Sequence, residues 1–291
     1  DSEVAAVAQA IEKRMIDQFD SRRGHPQTFK KTHGKMASTG VFLQQELDRF
    51  NGLIAVMKGT LYDLQRAIKG FIVMSGPLEN MYNDFLFQRV PGQWENAGYP
   101  CLKPLPSWTE DHFARLSFMG GWLKDGPPTC FWLPAFFFPQ GFMTAVKQTY
   151  SREYKFAIDL LVVGCSVTSM SVSDARKPPK DGVYIYGLFM EGARFDRGGM
   201  KIEESRVGDL FDPMPVIHLL PADVKEYKPS GCYSCPLYKT SIRAGTLSTT
   251  GHSTNFVVAL DIPTDKEINA DTQVCDHWVK RGTAMLCMLD T

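Results

Sequence analysis

Between Leu43 and Ile68 the apolar residues Leu43, Leu47, Phe50, Ile54, Met57, Leu61, Leu64 and Ile68 recur at alternating intervals of four and three. Only a helix turns that spacing into one unbroken stripe, so a long helix is expected over residues 37–69. A strict seam of this kind can zip into a coiled-coil dimer. Leu53 and Val56 widen the stripe beyond such a seam, which favours a helix packed inside a multi-helix bundle. The opposite face carries Glu46, Asp48, Arg49, Lys58, Asp63, Arg66 and Lys69 and is expected to be solvated or lightly paired.

Other helical signals flank it. Ser2 suits an N-cap, and Val4, Val7, Ile11, Met15 and Phe19 share one side of a helix expected over residues 2–20. Residues 21–35 carry Arg22, Arg23, Lys30, Lys31 and Lys35 without periodicity and read as a basic surface linker. Ser75-Gly76-Pro77 restarts a helix that bears Leu78, Met81, Tyr82 and Phe85. Pro91, Gly92, Gly98, Pro100, Pro104 and Pro106 make the next stretch an irregular connection. Ser107 and Glu110, at capping-box spacing, open a further helix carrying Phe113, Leu116, Met119 and Trp122. A last helix is expected over residues 141–150.

After Tyr154 the helical period disappears, and short apolar runs separated by turn residues take over at 157–164, 183–190, 216–219, 255–262 and 283–289. Gly198-Gly199 is placed to close a hairpin between the strand at Tyr184 and a shorter one at 201–203. The molecule thus reads as α+β in two subdomains, residues 1–153 helical and 154–291 β. Strands of this length and spacing make a small barrel or sandwich.

Length and charge bound the function. A polypeptide of 291 residues can bury a substantial core as one large domain or two ordinary ones. Lys plus Arg equals Asp plus Glu at 32 each, so no net field recruits nucleic acid or an acidic membrane. The longest apolar run, residues 130–138, is broken by Pro134 and falls far short of the roughly 20 residues that cross a bilayer. Seven scattered cysteines, an odd number, suit a reducing compartment better than a disulfide framework, which points to the cytoplasm. A first residue of Asp rather than Met fits a piece of a longer polypeptide.

Residues 235–256 read CPLYKTSIRAGTLSTTGHSTNF, a run of Thr, Ser and Gly that no common catalytic motif explains. It resembles the C-terminal region of dynein heavy chains. Residues 131–142 (FWLPAFFFPQGF), 182–196 (GVYIYGLFMEGARFD), 214–219 (MPVIHL) and 277–289 (HWVKRGTAMLCML) match the same region in the same order. Residues 42–75 and the spacing of Trp94, Tyr99, Leu102-Lys103-Pro104-Leu105 and Trp108 look more like axonemal than cytoplasmic dyneins, so the resemblance extends from about Gly40 to the end. It implies a helical bundle followed by an incomplete antiparallel β-barrel, with residues 1–36 partly belonging to a preceding AAA+ module. The implied role is a non-catalytic module that packs on the AAA+ ring of an ATP-driven microtubule motor and modulates its force, stepping or processivity. Its partners would be AAA+ modules of the same heavy chain and, through the parent, other dynein subunits and microtubules. It would reside on the cytoskeleton of a ciliary or flagellar axoneme. ATP and Mg belong to the parent's AAA+ modules. In dyneins a separate stalk tip grips the microtubule, so the basic linker reads as a solvated loop rather than a tubulin contact.

The residues agree that nucleotide chemistry lies elsewhere. A phosphate-binding loop needs glycine six positions before its lysine; ahead of Lys35 that position is Phe29, and Met36 replaces the Ser or Thr that holds magnesium. Cys232, Cys235, Cys275 and His277 offer four soft ligands for zinc, but the second pair is too closely spaced, and a strand-edge thiol pair is the plainer reading. Gly251-His252-Ser253, with Asp261 or Asp265, offers the elements of a hydrolase. Neighbouring residues on an extended backbone point to opposite faces, however, and hydroxyls such as those of Thr246, Ser248, Thr249, Thr250 and Ser253 more simply cap turn amides. No catalytic or cofactor-binding residue is therefore assigned.

The expected contacts are of two kinds. Phe131, Trp132, Phe136, Phe137, Phe138 and Phe142 need burial. Packing between the two halves is the expectation, and a free-standing adaptor that binds a partner through this patch is the alternative. Glu191 and Arg194 end a hydrophobic strand, where Arg194 is expected to bridge Glu191, Asp196 or Asp159, the alternative being a residue outside this chain. Lys239 and Arg243 are the candidates for outward contact.

Overall fold

The computed structural model describes residues 2–32, 34–245 and 254–291. Helix α1 spans Ser2–Arg14, and a two-residue-strand hairpin, β1 (Lys31–Thr32) with β2 (Lys35–Met36), leads into α2 at Ser38–Ile68. The apolar stripe is the buried face of α2, with Leu43, Leu47, Phe50, Leu53, Ile54, Met57, Leu61 and Leu64 wholly enclosed. Around it pack α1, α3 (Gly76–Leu86), α4 (Gly92–Ala97), α5 (Leu105–Asp125) and α6 (Pro139–Tyr154). Among the described residues no helix is long and apolar enough to cross a membrane.

Three departures from the expected helices have a local reason, and α6 also extends beyond the expected 141–150 at both ends. α1 stops at Arg14 instead of continuing to Asp20. The backbone beyond it runs along α2, where Asn51 accepts the Phe19 N–H at 2.7 Å and donates to the Phe19 carbonyl at 2.8 Å. One side chain thus gives an extended segment the backbone partners that another helical turn would supply. Asn51→Ala is expected to speed amide exchange over residues 15–20 by about tenfold while α2 stays protected; unchanged exchange there would refute the clamp. The stretch expected to be irregular contains α4, bounded by Pro91 at its N-cap and Gly98 at its C-cap, with Trp94 fully buried. α5 starts at Leu105 with Pro106 in its first turn, and the Ser107 hydroxyl bonds back to the Pro104 carbonyl at 3.4 Å, so the expected capping box does not form.

The β elements are β3 (Cys130–Trp132), β4 (Leu161–Val167), β5 (Val183–Tyr186), β6 (Phe189–Glu191), β7 (Arg194–Asp196), β8 (Lys201–Glu203), β9 (Phe211–Pro213), β10 (Ile217–Asp223), β11 (Cys232–Tyr238) and β12 (Phe256–Pro263). A short helix α7 (Asp276–Lys280) precedes β13 (Ala284–Leu286). Four strands form a sheet in the order β3-β5-β10-β4 and five form another in the order β12-β11-β13-β6-β9, while β7 and β8 make a separate hairpin.

The fold is therefore α+β, but the antiparallel expectation needs correction: β3 pairs parallel to β5 and β13 parallel to β11, and among the described residues no barrel closes. β13 reaches β11 only after the excursion through β12 and α7, and so long a return permits parallel pairing. The single strand expected at 183–190 is two. Gly187, at φ +91°, breaks it and sends β6 to the other sheet; a Cβ there would meet Trp132 at 2.6 Å. The Gly198-Gly199 turn accordingly joins β7 to β8, not the strand at Tyr184. β11 is not among the apolar runs expected as strands, although the strand-edge reading of Cys232 and Cys235 implies one, and Pro236 lies inside it. That proline is tolerated because β13 pairs only with Leu237 and Tyr238, leaving Pro236 paired with β12 alone. One continuous core, from Val4 in α1 to Met288 beyond β13, runs through helices and sheets.

Candidate functional site

The aromatic segment lies where α2, α5 and α6 meet the four-stranded sheet. β3 supplies Phe131 and Trp132, a turn of 3₁₀ helix follows at Leu133–Ala135, and Pro139 opens α6. Phe131, Phe136 and Phe142 are buried, Trp132 and Phe137 half-buried, and Phe138 is 44% exposed. Phe42 of α2 meets Phe136 edge-on at 4.8 Å between centroids, Phe50 meets Phe137 edge-on at 4.7 Å, and Trp122 of α5 meets Phe131 at 5.1 Å. Phe138 alone turns outward, with Arg49 and Lys239 over its ring at 5.6 and 5.7 Å.

A carboxylate holds this segment in place. Glu46, on the α2 face expected to be solvated, is fully buried and accepts the backbone N–H of Phe137 at 2.6 Å and of Phe138 at 3.2 Å. Arg49 pairs with it at 2.8 Å. Burial pushes the Glu46 carboxyl above its ordinary range, against the opposing pull of those N–H groups and of Arg49. The helical wheel gave no sign of this, because the partners are backbone groups 91 and 92 residues away in sequence.

A second polar group missed in the sequence sits on α5. Arg115 is only 1% exposed, bonds Asp111 through Nε at 2.7 Å and stacks over the Tyr99 ring at 3.7 Å. His112 beside it is wholly enclosed, 3.3 Å from the Tyr99 hydroxyl through Nδ1, and burial drives its pKa down to about 3, so it is a neutral core imidazole.

The charged candidates pair partly as expected: Asp196 is one of the partners named for Arg194, whereas Glu191 is not found with it. Arg194 bridges Asp196 at 3.4 Å and also Glu203 across the β7–β8 hairpin. Glu191 instead binds Arg243, which also donates to the Gly282 carbonyl at 2.7 Å. Arg243 is thus engaged within the β portion, with a third of its side chain still exposed. Lys239 is half-buried, and burial lowers its pKa.

The four metal candidates do not converge. Cys232 and Cys235 are three apart on extended β11, so their thiols leave on opposite faces; Cys235 is buried with Tyr233 and Leu237, whereas the Cys232 thiol donates to Ser230. Both cysteines lie on the stretch of β11 that pairs with β12 alone, since β13 joins only at Leu237 and Tyr238. Cys275 is buried ahead of α7, and His277 is 2.7 Å from Glu204. Among the described residues no group of three His, Cys, Asp or Glu is placed to hold a metal ion. Gly34 and Lys35 lie in the small β1–β2 hairpin. Thr246, Ser248, Thr249, Thr250, His252 and Ser253 lie outside the described residues. Their proposed acidic partners are otherwise occupied: Asp261 accepts the Tyr227 hydroxyl at 2.9 Å and Asp265 pairs with Lys201 at 2.7 Å.

Within this protein the aromatic segment is a packing junction. Residues 1–287 match the family described as the C-terminal domain of the dynein heavy chain. The protein belongs to that family. Dynein axonemal heavy chain 12 of Mus musculus is 46% identical over 253 residues, 87% of this chain and 8% of that protein. Dynein axonemal heavy chain 3 of Mus musculus is 41% identical over 99% of the sequence, and dynein axonemal heavy chain 6 of Homo sapiens 39% identical over 99%; in each case the match spans 7% of the relative. The dynein C-terminal resemblance read from residues 131–142, 182–196 and 235–256 is therefore correct, and the relatives are of the axonemal type. The chain spans less than a tenth of the length of these curated relatives.

Proposed function

We propose that this dynein C-terminal domain works without bond chemistry, as the module of a longer heavy chain that packs on the AAA+ ring of an ATP-driven microtubule motor. There it modulates force, stepping or processivity. The observation that carries the reading is the main core, which runs through helices and sheets, is joined at the aromatic junction and is held by Glu46. A body so joined transmits displacement from one attachment to another instead of absorbing it. Residues 1–153 and 154–291 serve as its two attachment regions, with residues 1–36 leading from the preceding module. The β region acts as an open, barrel-like unit, a reading supported by β4 packing beside β12 so that the two sheets adjoin. ATP and Mg act in the AAA+ modules of the parent, whose setting is the ciliary or flagellar axoneme. Other dynein subunits and the microtubule are met through that parent. The adaptor alternative loses most of its surface, since of the six aromatics only Phe138 is exposed.

The test is deletion of residues 154–291 from the full heavy chain. Velocity, stall force or run length should change while nucleotide binding is retained. Unchanged motility on all three measures would end the proposal.

A further inference from the structure

The turn between α2 and α3 carries four consecutive apolar residues, Phe71-Ile72-Val73-Met74, at the tip of the helical part. Phe71 is 71% exposed, Val73 85% and Met74 38%, while Ile72 is half-buried. Exposed apolar side chains scattered singly are ordinary, but this run gathers on the order of 400 Å² of apolar surface at one place, which marks a contact.

The backbone holds these side chains outward. Gly70, at φ +76°, closes α2 by donating to the Ala67 carbonyl at 3.0 Å, and Phe71 donates to the Arg66 carbonyl at 2.9 Å. A residue in the position of Phe71 ordinarily packs back on its own helix, but here it would cover only Gln65 and Arg66. At the other end Ser75 is the N-cap of α3, its carbonyl accepts the Glu79 N–H at 2.8 Å, and Pro77 stiffens the first turn. The charges beside the run are Arg66 and Lys69 on α2, with Glu79 on α3.

We propose that residues 71–74 form a knob that docks into an apolar cleft on another module of the same heavy chain, with carboxylates on the rim facing Arg66 and Lys69. The inference rests on the proposed packing against the AAA+ ring and names the surface that makes the attachment. Area selects this occupant. The knob's surface is about half of the roughly 800 Å² per partner that a stable interface between separate chains buries, so it is too small to hold a second copy or a free partner. Within one polypeptide, linkage supplies an effective concentration on the order of millimolar, and a small contact suffices. More than nine-tenths of each matched heavy chain lies outside this domain. Docking there also has a mechanical consequence. Between Glu46 and Ile68 α2 is unbroken over about 33 Å, so a displacement of the knob reaches the aromatic junction along a rigid rod.

The test is photocrosslinking in the full heavy chain, with a benzophenone side chain placed at position 73 or, as control, at position 207, where Val207 is fully exposed between β8 and β9. Position 73 should crosslink to a peptide of the same heavy chain outside this domain, with a yield about tenfold that at position 207. Phe71→Asp, a surface change that leaves the fold intact, should cut that yield about tenfold. Equal yields at 73 and 207, crosslinks to a second heavy chain, another subunit or lipid, or a yield unmoved by Phe71→Asp would each overturn the docking. Deletion of residues 154–291 reports on the other reading. Motility unchanged by that deletion, with the crosslink present, would end the modulatory role and uphold the contact; motility changed by it, with no crosslink, would end the contact alone.

Discussion

Glu46→Ala is expected to destabilise the protein by about 3 kcal/mol and lower Tm by roughly 6 °C, a large effect for a charged residue on a helix. The cost arises at the far end of the contact. Removing the carboxylate leaves the Phe137 and Phe138 N–H groups without their acceptor at the start of α6, in a part-buried site that water reaches poorly. Arg49 adds little, because its side chain is 42% exposed and can turn to solvent. Glu46→Gln keeps one acceptor oxygen and should cost about half as much. The two variants also separate charge from hydrogen bonding. Burial raises the folded-state pKa of Glu46 above 4.5, so in the window above that value the folded protein binds more protons than the unfolded one. Stability from this residue is then fully present below the unfolded pKa and declines as pH rises through the folded one. Urea unfolding followed from pH 4.5 upward should show the parent losing stability relative to Glu46→Gln; parallel curves would mean that Glu46 does not titrate in that window.

What the sequence displayed was local or periodic. The stripe from Leu43 to Ile68 placed α2 to within a residue or two at each end, because an uninterrupted period of that length permits no other structure. The dynein motifs likewise identified the family, since they are runs of consecutive residues. What it concealed depends on contacts between distant positions. Asn51 ends α1 by bonding the backbone at Phe19. Glu46 is polar by type but internal by position, because the N–H groups it satisfies enter from another segment. The pairing of Arg243 with Glu191, and of Arg194 with Glu203, follows from the strand order β11-β13-β6 and from the β7–β8 register, which no spacing rule encodes. Cys232 and Cys235 show the reverse hazard. Their spacing is that of a zinc pair, but the pair chelates from a turn, and on extended β11 the same spacing separates the thiols.

Phe142→Ala should be the most damaging single truncation in the aromatic segment, at about 4 kcal/mol, while Phe138→Ala, four residues earlier, should cost under about 1 kcal/mol. Composition treats the two alike, but burial does not. Phe142 is fully enclosed, with ring centroids 5.5 Å from Phe42, 4.9 Å from Phe131 and 5.0 Å from Phe136. Its removal opens a cavity where α2, α6 and β3 converge, and those three elements cannot all close on it without breaking the β3–β5 pairing. Phe138 has solvent on one side and two long cationic side chains over its ring, so water and those side chains can fill the space it vacates. Urea unfolding monitored by far-ultraviolet dichroism and by tryptophan emission should show both signals of Phe142→Ala shifting together, since the core it interrupts is continuous from α1 to the last strand. Equal costs for the two truncations would mean that the junction carries little of the stability. Separated transitions would mean that residues 1–153 and 154–291 unfold as independent bodies, which a module transmitting displacement across the junction cannot be.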